Sequence, residues 1–97
     1  MAGTAKIARQ ADLDKGLKTP KKAIVDVTWL DACAHMRVKR LDPGRLTDLL
    51  VESHTMGRVV AQDKNVLCVA THMNDTDGVD LIAIPIKWIE KVEMFNG

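Results

Sequence analysis

Residues 57–69 read GRVVAQDKNVLCV, two largely apolar runs joined by the polar triplet Asp63-Lys64-Asn65. Asp and Asn tolerate the backbone angles that a short loop requires, so the triplet predicts the turn of a β-hairpin. Gly57 begins the first run, and a glycine inside a strand is typical of a bulge or a sharp bend. We therefore expect a small, curled β-sheet built around this hairpin.

Outward from the hairpin, further runs rich in β-branched and aromatic residues are bounded by turn residues, which is typical of strands. In the first of them Val25, Val27 and Trp29 alternate with polar residues, so these three side chains should face the core. The predicted strands are 23–30, 51–62, 66–73, 79–84 and 89–95.

The fold class that this pattern predicts is mainly β: a small five-stranded β-barrel, with a sandwich as the alternative. Closing so few strands into a barrel removes the exposed edges of an open sheet. We expect a tail or short N-terminal helix over residues 1–20, then one barrel domain over residues 21–97. Residues 31–50 should form an excursion from the sheet.

Several connections allow more than one interpretation. Either Thr4 caps a short helix that ends at Gly16, or the first 20 residues are a mobile tail. Asp42-Pro43-Gly44 reads as a turn, or as the cap of a brief helix through Leu49. Asp77-Gly78 predicts a hairpin turn, and residues 86–88 predict a single helical turn or a corner.

The overall composition does not indicate a binding partner, because it is ordinary for a globular protein: 46% of the residues are hydrophobic, 28% are charged and the net charge is +1. The charge is uneven: six bases face two acids in residues 1–22, whereas seven acids face four bases from residue 49 onward. No segment approaches the roughly 20 apolar residues of a membrane span. Cys33 and Cys68 lack a disulfide-framework spacing, so we expect reduced thiols and a cytoplasmic protein, of the host cell if its source is viral.

The hairpin resembles the first signature segment of the Sm and Sm-like proteins, a family of five-stranded, strongly bent barrels. Gly57, Val59, Asp63 and Val66 fall on its pattern, but Leu67 stands where the family has Asn. Residues 81–92 are similar to the second segment in spacing, with Pro85-Ile86 at its Arg-Gly positions.

The resemblance implies the fold, a strongly bent Sm-like or SH3-like barrel, more than the familiar activity. In Sm-like rings the Asn and Arg at those positions contact RNA bases, and here Leu67 and Pro85 replace them. Family members pair the fourth strand of one subunit with the fifth of the next, which implies a homo-oligomer, plausibly a ring. The apolar residues assigned to that interface are Ile82, Ile84, Val92 and Met94. The chain also resembles short uncharacterised bacteriophage proteins, in Trp29-Leu30-Asp31 and in Ser53-x-x-x-Gly57.

The spacing of the candidate residues indicates neither a metal site nor a catalytic site. The soft metal ligands are Cys33, His35, His54, Cys68 and His72, without the paired spacing of a zinc site. Residues 75–78 share part of a calcium loop but lack its bidentate Glu, so an acidic turn is the better interpretation. Ser53 and adjacent His54 should point to opposite faces of a strand. We expect no cofactor and no enzymatic activity.

Basic residues are the remaining functional lead, because lysine and arginine neutralise phosphates. We expect a non-enzymatic, oligomeric binding module for nucleic acid, most of all RNA, with Asp63, Lys64 and Asn65 as loop contacts. The alternative is a protein-interaction or small-ligand module for a nucleotide-like molecule, such as a viral regulator of a host factor. Aromatic side chains on which bases could stack are nearly absent, because we expect Trp29 and Trp88 in the core. The predicted nucleic-acid site consists of Lys21, Lys22, Arg37, Lys39, Arg40 and Arg45.

Overall fold

The computed structural model describes residues 6–32, 37–74 and 78–95. The side chains of residues 72–74 and 79 are outside that description. So are the predicted cap Thr4, the ligand candidates Cys33 and His35, and the acidic turn before Gly78. The elements in chain order are β1 (Lys6–Arg9), α1 (Gln10–Asp14), β2 (Ile24–Asp31), the 3-10 helix η1 (Pro43–Leu49), β3 (Val51–Gln62), β4 (Val66–Asn74), β5 (Gly78–Pro85), the 3-10 helix η2 (Ile86–Trp88) and β6 (Ile89–Phe95).

The six strands form one antiparallel sheet in the order β1-β6-β2-β3-β4-β5. Strands β2 to β5 follow one another as a meander, and β6 returns to pair with β2. Strand β1 then pairs with the other side of β6. The edges of the sheet are therefore β1 and β5.

The pairing of the long strand β3 passes from β2 to β4 around Gly57 and Arg58. Residues 51–58 of β3 pair with β2, as Gly57 does with Val25. From Arg58 onward it pairs with β4, with an irregular register between Val59 and Ala61. A Cβ atom on Gly57 would lie 2.1 Å from the carbonyl oxygen of Ala70, so only glycine allows this close approach. The sequence predicts a bulge or sharp bend at Gly57, whereas the register irregularity of β3 lies between Val59 and Ala61.

The core lies on one face of the sheet, and alternate residues of neighbouring strands supply it. The predicted inward residues Val25, Val27 and Trp29 are all buried. The indole Nε1 of Trp29 donates a hydrogen bond to Thr55 Oγ1 at 3.0 Å, which satisfies its polar atom inside the core. Other fully buried side chains are Leu67, Val69, Ile84, Ile86, Ile89 and Val92.

The prediction of a mainly β fold is confirmed, but the five-stranded barrel is wrong. The described residues form six strands, and the sheet stays open because β1 and β5 do not pair. The additional strand is β1, whose Ala8 is fully buried. Only Ile7 in this strand is β-branched, so its pairing with β6, rather than local propensity, makes it a strand.

The residues just before two of the helices decide where each helix begins. Helix α1 begins at Gln10 rather than near Thr4, since residues 6–9 belong to the sheet. The side chain of Asp42 accepts a hydrogen bond from Gly44 N at 3.0 Å, and Pro43 begins η1, as the capping alternative predicts. Among the described residues, no helix is long and apolar enough to cross a membrane.

Candidate nucleic-acid interface

Four cationic side chains surround the start of β2, and we name them the basic patch: Lys6, Lys21, Lys22 and Arg58. Lys21 and Lys22 lie in the turn before β2, Lys6 begins β1, and Arg58 belongs to β3. The sheet brings the three segments together, because Ile24 of β2 pairs with Arg58. Next to them, β6 places Met94 opposite Lys6.

Backbone hydrogen bonds fix the turn that carries the two lysines. The amide of Lys22 donates to the Val59 carbonyl at 2.8 Å, and Val59 N donates to the Ala23 carbonyl at 2.9 Å. Arg58 Nη1 donates to the Lys22 carbonyl at 3.1 Å. Lys22 also has a φ of 66°, in the left-handed region that L residues rarely adopt. The turn therefore holds its lysines in one arrangement.

Gln62 ties the preceding loop to β3. Its Oε1 atom accepts hydrogen bonds from Thr19 N at 2.8 Å and from Thr19 Oγ1 at 2.7 Å. Its Nε2 atom donates to the Leu17 carbonyl at 3.0 Å. Thr19 is 5% exposed, so these bonds satisfy polar groups that water barely reaches. A single side chain thus anchors the loop that leads to Lys21 and Lys22.

The cations of the basic patch are free of ion pairs with the carboxylates of the described segments. Elsewhere, bases have such partners: Arg45 pairs with Asp48 at 2.8 Å, and Lys91 with Glu93 at 3.2 Å. An unpaired cation keeps its full charge for an anionic ligand. The basic patch is therefore suited to phosphate groups.

Two recesses flank the Lys21–Lys22 turn. The Phe95 recess has a volume of about 320 Å³ and is lined by Lys6 and Phe95 together with both lysines. The Val60 recess has a volume of about 300 Å³ and is lined by Arg58 and Val60 together with both lysines. Each recess thus combines apolar walls with cations at its rim.

The structure does not assemble the predicted six-residue basic site. Lys21 and Lys22 precede β2, whereas Arg45 lies in η1, which follows the other end of that strand. The eight residues of β2 alone span about 23 Å at a rise of ~3.3 Å per residue. Neither recess at Lys21 and Lys22 is lined by the other four predicted residues, Arg37, Lys39, Arg40 and Arg45, which are all exposed.

The predicted loop contacts have a structural role in the hairpin turn. Asp63 Oδ1 accepts hydrogen bonds from Asn65 N at 2.7 Å and from Val66 N at 2.8 Å. These bonds favour the carboxylate and lower the pKa of Asp63 below its ordinary 3.8. Ile86 N donates to the Asn65 carbonyl at 2.8 Å, so the hairpin turn also contacts η2. Lys64 remains exposed.

The two positions that depart from the Sm-like pattern are not arranged as a base-binding pair. Leu67 is completely buried in the core, and Pro85 ends β5 opposite Val66. Their segments nevertheless meet, through the contact between Asn65 and Ile86. This part of the hairpin therefore supports the fold and offers no polar side chain at Leu67 or Pro85.

The predicted oligomer interface needs correction. Ile84 and Val92 are 0% exposed because they alternate into the core of a single chain, and Ile82 and Met94 pack partly against that core. Strand β6 pairs with β1 on one side and β2 on the other, so neither of its edges is free. The predicted pairing of β5 with β6 of another subunit is therefore blocked.

A second concave surface lies at the far end of β2, and we name it the Trp88 cleft. Leu30, Ala32, Leu50, Lys87 and Trp88 line an apolar part of about 230 Å³. A wider part of about 510 Å³ adds Asp48, Glu52 and Glu90, among others. The Trp88 ring stacks on Trp29 with centroids 6.3 Å apart, and Trp88 is 44% exposed. The prediction of a core position is thus confirmed for Trp29 and wrong for Trp88.

A polar cluster surrounds the exposed side chain of His54 in β3. Its Nδ1 atom lies 3.2 Å from Thr28 Oγ1 and 3.6 Å from Asp26 Oδ1, and its Nε2 atom lies 3.3 Å from Glu52 Oε1. Within the described ranges, no three His, Cys, Asp or Glu side chains are arranged to hold a metal ion. The thiol of Cys68 is free.

Comparison with known proteins supplies no relative: no protein family, curated protein or solved structure matches this chain. The resemblances to Sm-like and bacteriophage proteins stay predictions. The site is therefore defined by its geometry. Sequence reasoning missed Lys6 and Arg58, since it had no strand β1 and no register that places Arg58 beside Ile24.

Proposed function

We propose that this protein is a non-enzymatic nucleic-acid-binding module, with RNA as its first ligand, and that the basic patch makes the contact. The observation that carries the proposal is the convergence of four cations, none of them paired with a carboxylate of the described residues, on a turn that hydrogen bonds hold in place. Phosphate neutralisation by such cations supplies most of the affinity in non-specific nucleic-acid binding.

The fixed backbone of the turn favours a ligand-binding role for its lysines over the alternative that they are only solvated surface charges. Lysines on a mobile tail lose conformational freedom when they meet a ligand, which reduces affinity. Here Lys22 is already held by Val59 and Arg58. The residual entropy cost is confined to the side chains of the patch.

The proposal does not depend on the base contacts of Sm-like rings. The residues at the corresponding positions are Leu67 and Pro85, which have no hydrogen-bonding side-chain atoms. A curled sheet is a scaffold on which a different site is placed, at the start of β2.

A salt titration tests the proposal. Fluorescence anisotropy with a short labelled single-stranded RNA should show binding at low ionic strength, with a logarithm of affinity that falls linearly with the logarithm of salt concentration. The double variant Lys21→Gln/Lys22→Gln should flatten this slope by about 1.4, because each phosphate contact with a single strand contributes ~0.7.

The matched control is Lys39→Gln/Arg40→Gln, which removes the same two charges from the connection after β2. This variant should keep the parent slope. Equal losses in both double variants would mean that net charge, not the basic patch, governs binding. No binding of RNA or DNA at low ionic strength would refute the proposal.

A second candidate function, binding of a small ligand or a partner side chain, is favoured by the Trp88 cleft. Trp88 presents an aromatic surface that Trp29 holds in orientation, beside Leu30 and Leu50. Its volume lies in the range of ligand pockets, and apolar walls with a few polar groups are typical of them. We propose a partly apolar ligand for this cleft, of which nucleotide-like molecules are one class.

Tryptophan fluorescence tests the second candidate. Adenosine and uridine nucleotides, as probes, should quench the exposed Trp88 in a saturable way, and Trp88→Leu should abolish the effect. The buried Trp29 serves as an internal reference in that variant. Quenching that persists in Trp88→Leu, or no saturable quenching in the parent, would exclude this ligand class from the cleft.

We also propose that the protein forms a homo-oligomer, and β5 is the strand that can make the contact. Both sides of β6 are paired, whereas β5 is an eight-residue edge with an exposed Leu81. Unpaired edge strands readily accept another chain. Sedimentation should show an oligomer that Leu81→Lys converts to a monomer; a monomeric parent at micromolar concentration would refute it.

A further inference from the structure

The Lys21–Lys22 turn separates two recesses that are more apolar than phosphate binding requires. The Phe95 recess has walls of Pro20, Ala23 and Phe95, and the Val60 recess has walls of Val59 and Val60. A site that recognises only phosphates needs exposed cations and no hydrophobic walls. The recesses therefore indicate a ligand that presents flat apolar groups next to its phosphates.

We infer that the basic patch takes a single strand and discriminates against a duplex. The strand crosses the Lys21–Lys22 turn with one phosphate contact to each lysine and stacks one base on Phe95. This inference rests on the proposed nucleic-acid function. In a duplex the base faces are covered by their neighbours, whereas an unpaired strand exposes them to aromatic side chains.

The next base along the strand lies over the Val60 recess, where Arg58 forms the rim. The guanidinium is planar and stacks on flat rings, and it keeps further N–H groups after Nη1 has donated to the Lys22 carbonyl. One lysine pair thus serves two base sites, which fits the alternation of phosphate and base along a strand.

Both base sites are held by the sheet rather than by mobile segments. Phe95 pairs with Ile24 across β6 and β2, and Ile24 pairs with Arg58 across β2 and β3. These three residues lie in register across the sheet, so the aromatic ring and the guanidinium belong to the two strands that flank β2. The recesses consequently need little ordering when a strand binds.

The first experiment compares three ligands by anisotropy: a single-stranded RNA, a DNA strand of the same sequence, and the duplex of that DNA with its complement. Both single strands should bind at least about tenfold more tightly than the duplex, as expected for base–aromatic stacking. Phe95→Leu should weaken single-strand binding by about fivefold or more, leave duplex binding unchanged and preserve the salt slope. Leu41→Ala, at an exposed apolar position in the connection after β2, is the control and should bind like the parent.

The second experiment needs no substitution at Phe95. This residue is the chain's only phenylalanine, so incorporation of 4-fluorophenylalanine gives one ¹⁹F resonance. That resonance should shift on addition of the single strand and stay unchanged with the duplex.

The outcomes separate the two proposals. Equal affinity for duplex and single strand, a ¹⁹F resonance that ignores the single strand, or a folded Phe95→Leu variant with parent affinity would overturn this inference. The basic-patch function would still stand if Lys21→Gln/Lys22→Gln flattened the salt slope. Absence of binding to every ligand at low salt would overturn both.

Discussion

The two ends of β2 present different surfaces. At its start, the basic patch has cations that no carboxylate in the described part of the chain pairs with, on a turn fixed by hydrogen bonds with Val59 and Arg58. At its far end, the Trp88 cleft has an exposed aromatic ring and apolar walls, and Asp48 at its rim is neutralised by Arg45. One end attracts anions by charge, and the other end offers apolar area.

This difference shows that a single strand inside a small sheet can separate two unlike surfaces. The register of β2 with β3 and β6 fixes both surfaces at once, because each strand contributes residues to both ends. Charge distribution along the sequence alone would merge the basic residues of the two ends into one site. The sheet separates them by roughly the length of β2.

The largest effect is expected for Gly57→Ala, beside the basic patch. Its Cβ would lie 2.1 Å from the Ala70 carbonyl oxygen and 2.8 Å from Val69 Cγ1, so β3 and β4 must separate. Because backbone has to move, the variant should lose more than about 3 kcal/mol of unfolding free energy, the upper end of overpacking effects. Urea denaturation measures this loss.

The control for Gly57→Ala lies at the other end of β2. A Cβ on Gly44 would meet only Asp42 Oδ1, at an ordinary 3.5 Å. Gly44→Ala should therefore change stability by less than about 0.5 kcal/mol, as is usual for exposed positions. Similar denaturation midpoints for the two variants would contradict the close approach at Gly57.

A smaller loss is expected for Gln62→Ala. This change removes the bonds to Thr19 and Leu17 and leaves the nearly buried Thr19 amide unpaired, which costs about 1–3 kcal/mol. RNA affinity should fall too, because the lysine-bearing loop loses its anchor. Gln10→Ala is the control: its side chain donates to the Lys87 carbonyl near the Trp88 cleft. A Gln62→Ala variant with parent stability and affinity would show that the loop holds its position unaided.

Lys22→Gly should change stability little while it weakens RNA binding. Glycine adopts the φ of 66° without the strain of about 1 kcal/mol that an L residue bears, but its unfolded chain is more flexible by a similar amount. The unfolding free energy should therefore stay level or rise by up to about 1 kcal/mol. Anisotropy should show weaker binding and a flatter salt slope, since one phosphate contact is lost.

Arg37→Gly is the matched control, because Arg37 has a φ of 58° and follows the far end of β2. It removes one charge and the same kind of strain, so its stability should respond similarly while RNA binding stays at the parent level. Weaker binding in Arg37→Gly by the same factor would extend the interface beyond the basic patch.

Sequence patterns predicted what is local in this fold. The alternation of Val25, Val27 and Trp29 gave their inward orientation, and the polar triplet 63–65 gave the hairpin turn. The last strand, Ile89–Phe95, has the predicted bounds. In each case the signal lies within a few residues, where periodicity and turn chemistry act directly.

The features that escaped prediction depend on partners distant in sequence. Lys6–Arg9 is a strand because β6 offers an edge to it, and Arg58 joins Lys22 because β3 pairs with β2 in one particular register. Ile84 and Val92 were predicted at a subunit interface because the sequence does not show how many apolar side chains one chain can bury. In the structure both lie in the core of a single chain. Trp88 is exposed since η2 places it at the end of the sheet.

The smallest effect is expected at Asp63, whose hairpin turn lies between the basic loop and η2. Gln62 next to it anchors the basic loop, and Asn65 in the same turn accepts from Ile86 near the Trp88 cleft. Hydrogen bonds from Asn65 N and Val66 N lower the pKa of Asp63, so the carboxylate stabilises the folded state above its unfolded pKa near 3.8. This contribution is lost as pH falls through the lowered folded-state pKa.

Asp63→Asn isolates that contribution, because the amide oxygen still accepts the two backbone hydrogen bonds but does not titrate. Urea midpoints measured from neutral pH down to about pH 3 should fall less steeply in the variant than in the parent. Hydrogen exchange at Thr19 and Ile86 should become faster together in acid, since one turn holds a contact to each region. If the urea midpoints of the two proteins fall in parallel with pH, Asp63 does not contribute to the loss of stability in acid. If exchange becomes faster at Thr19 alone, the turn stabilises only the basic loop and not η2.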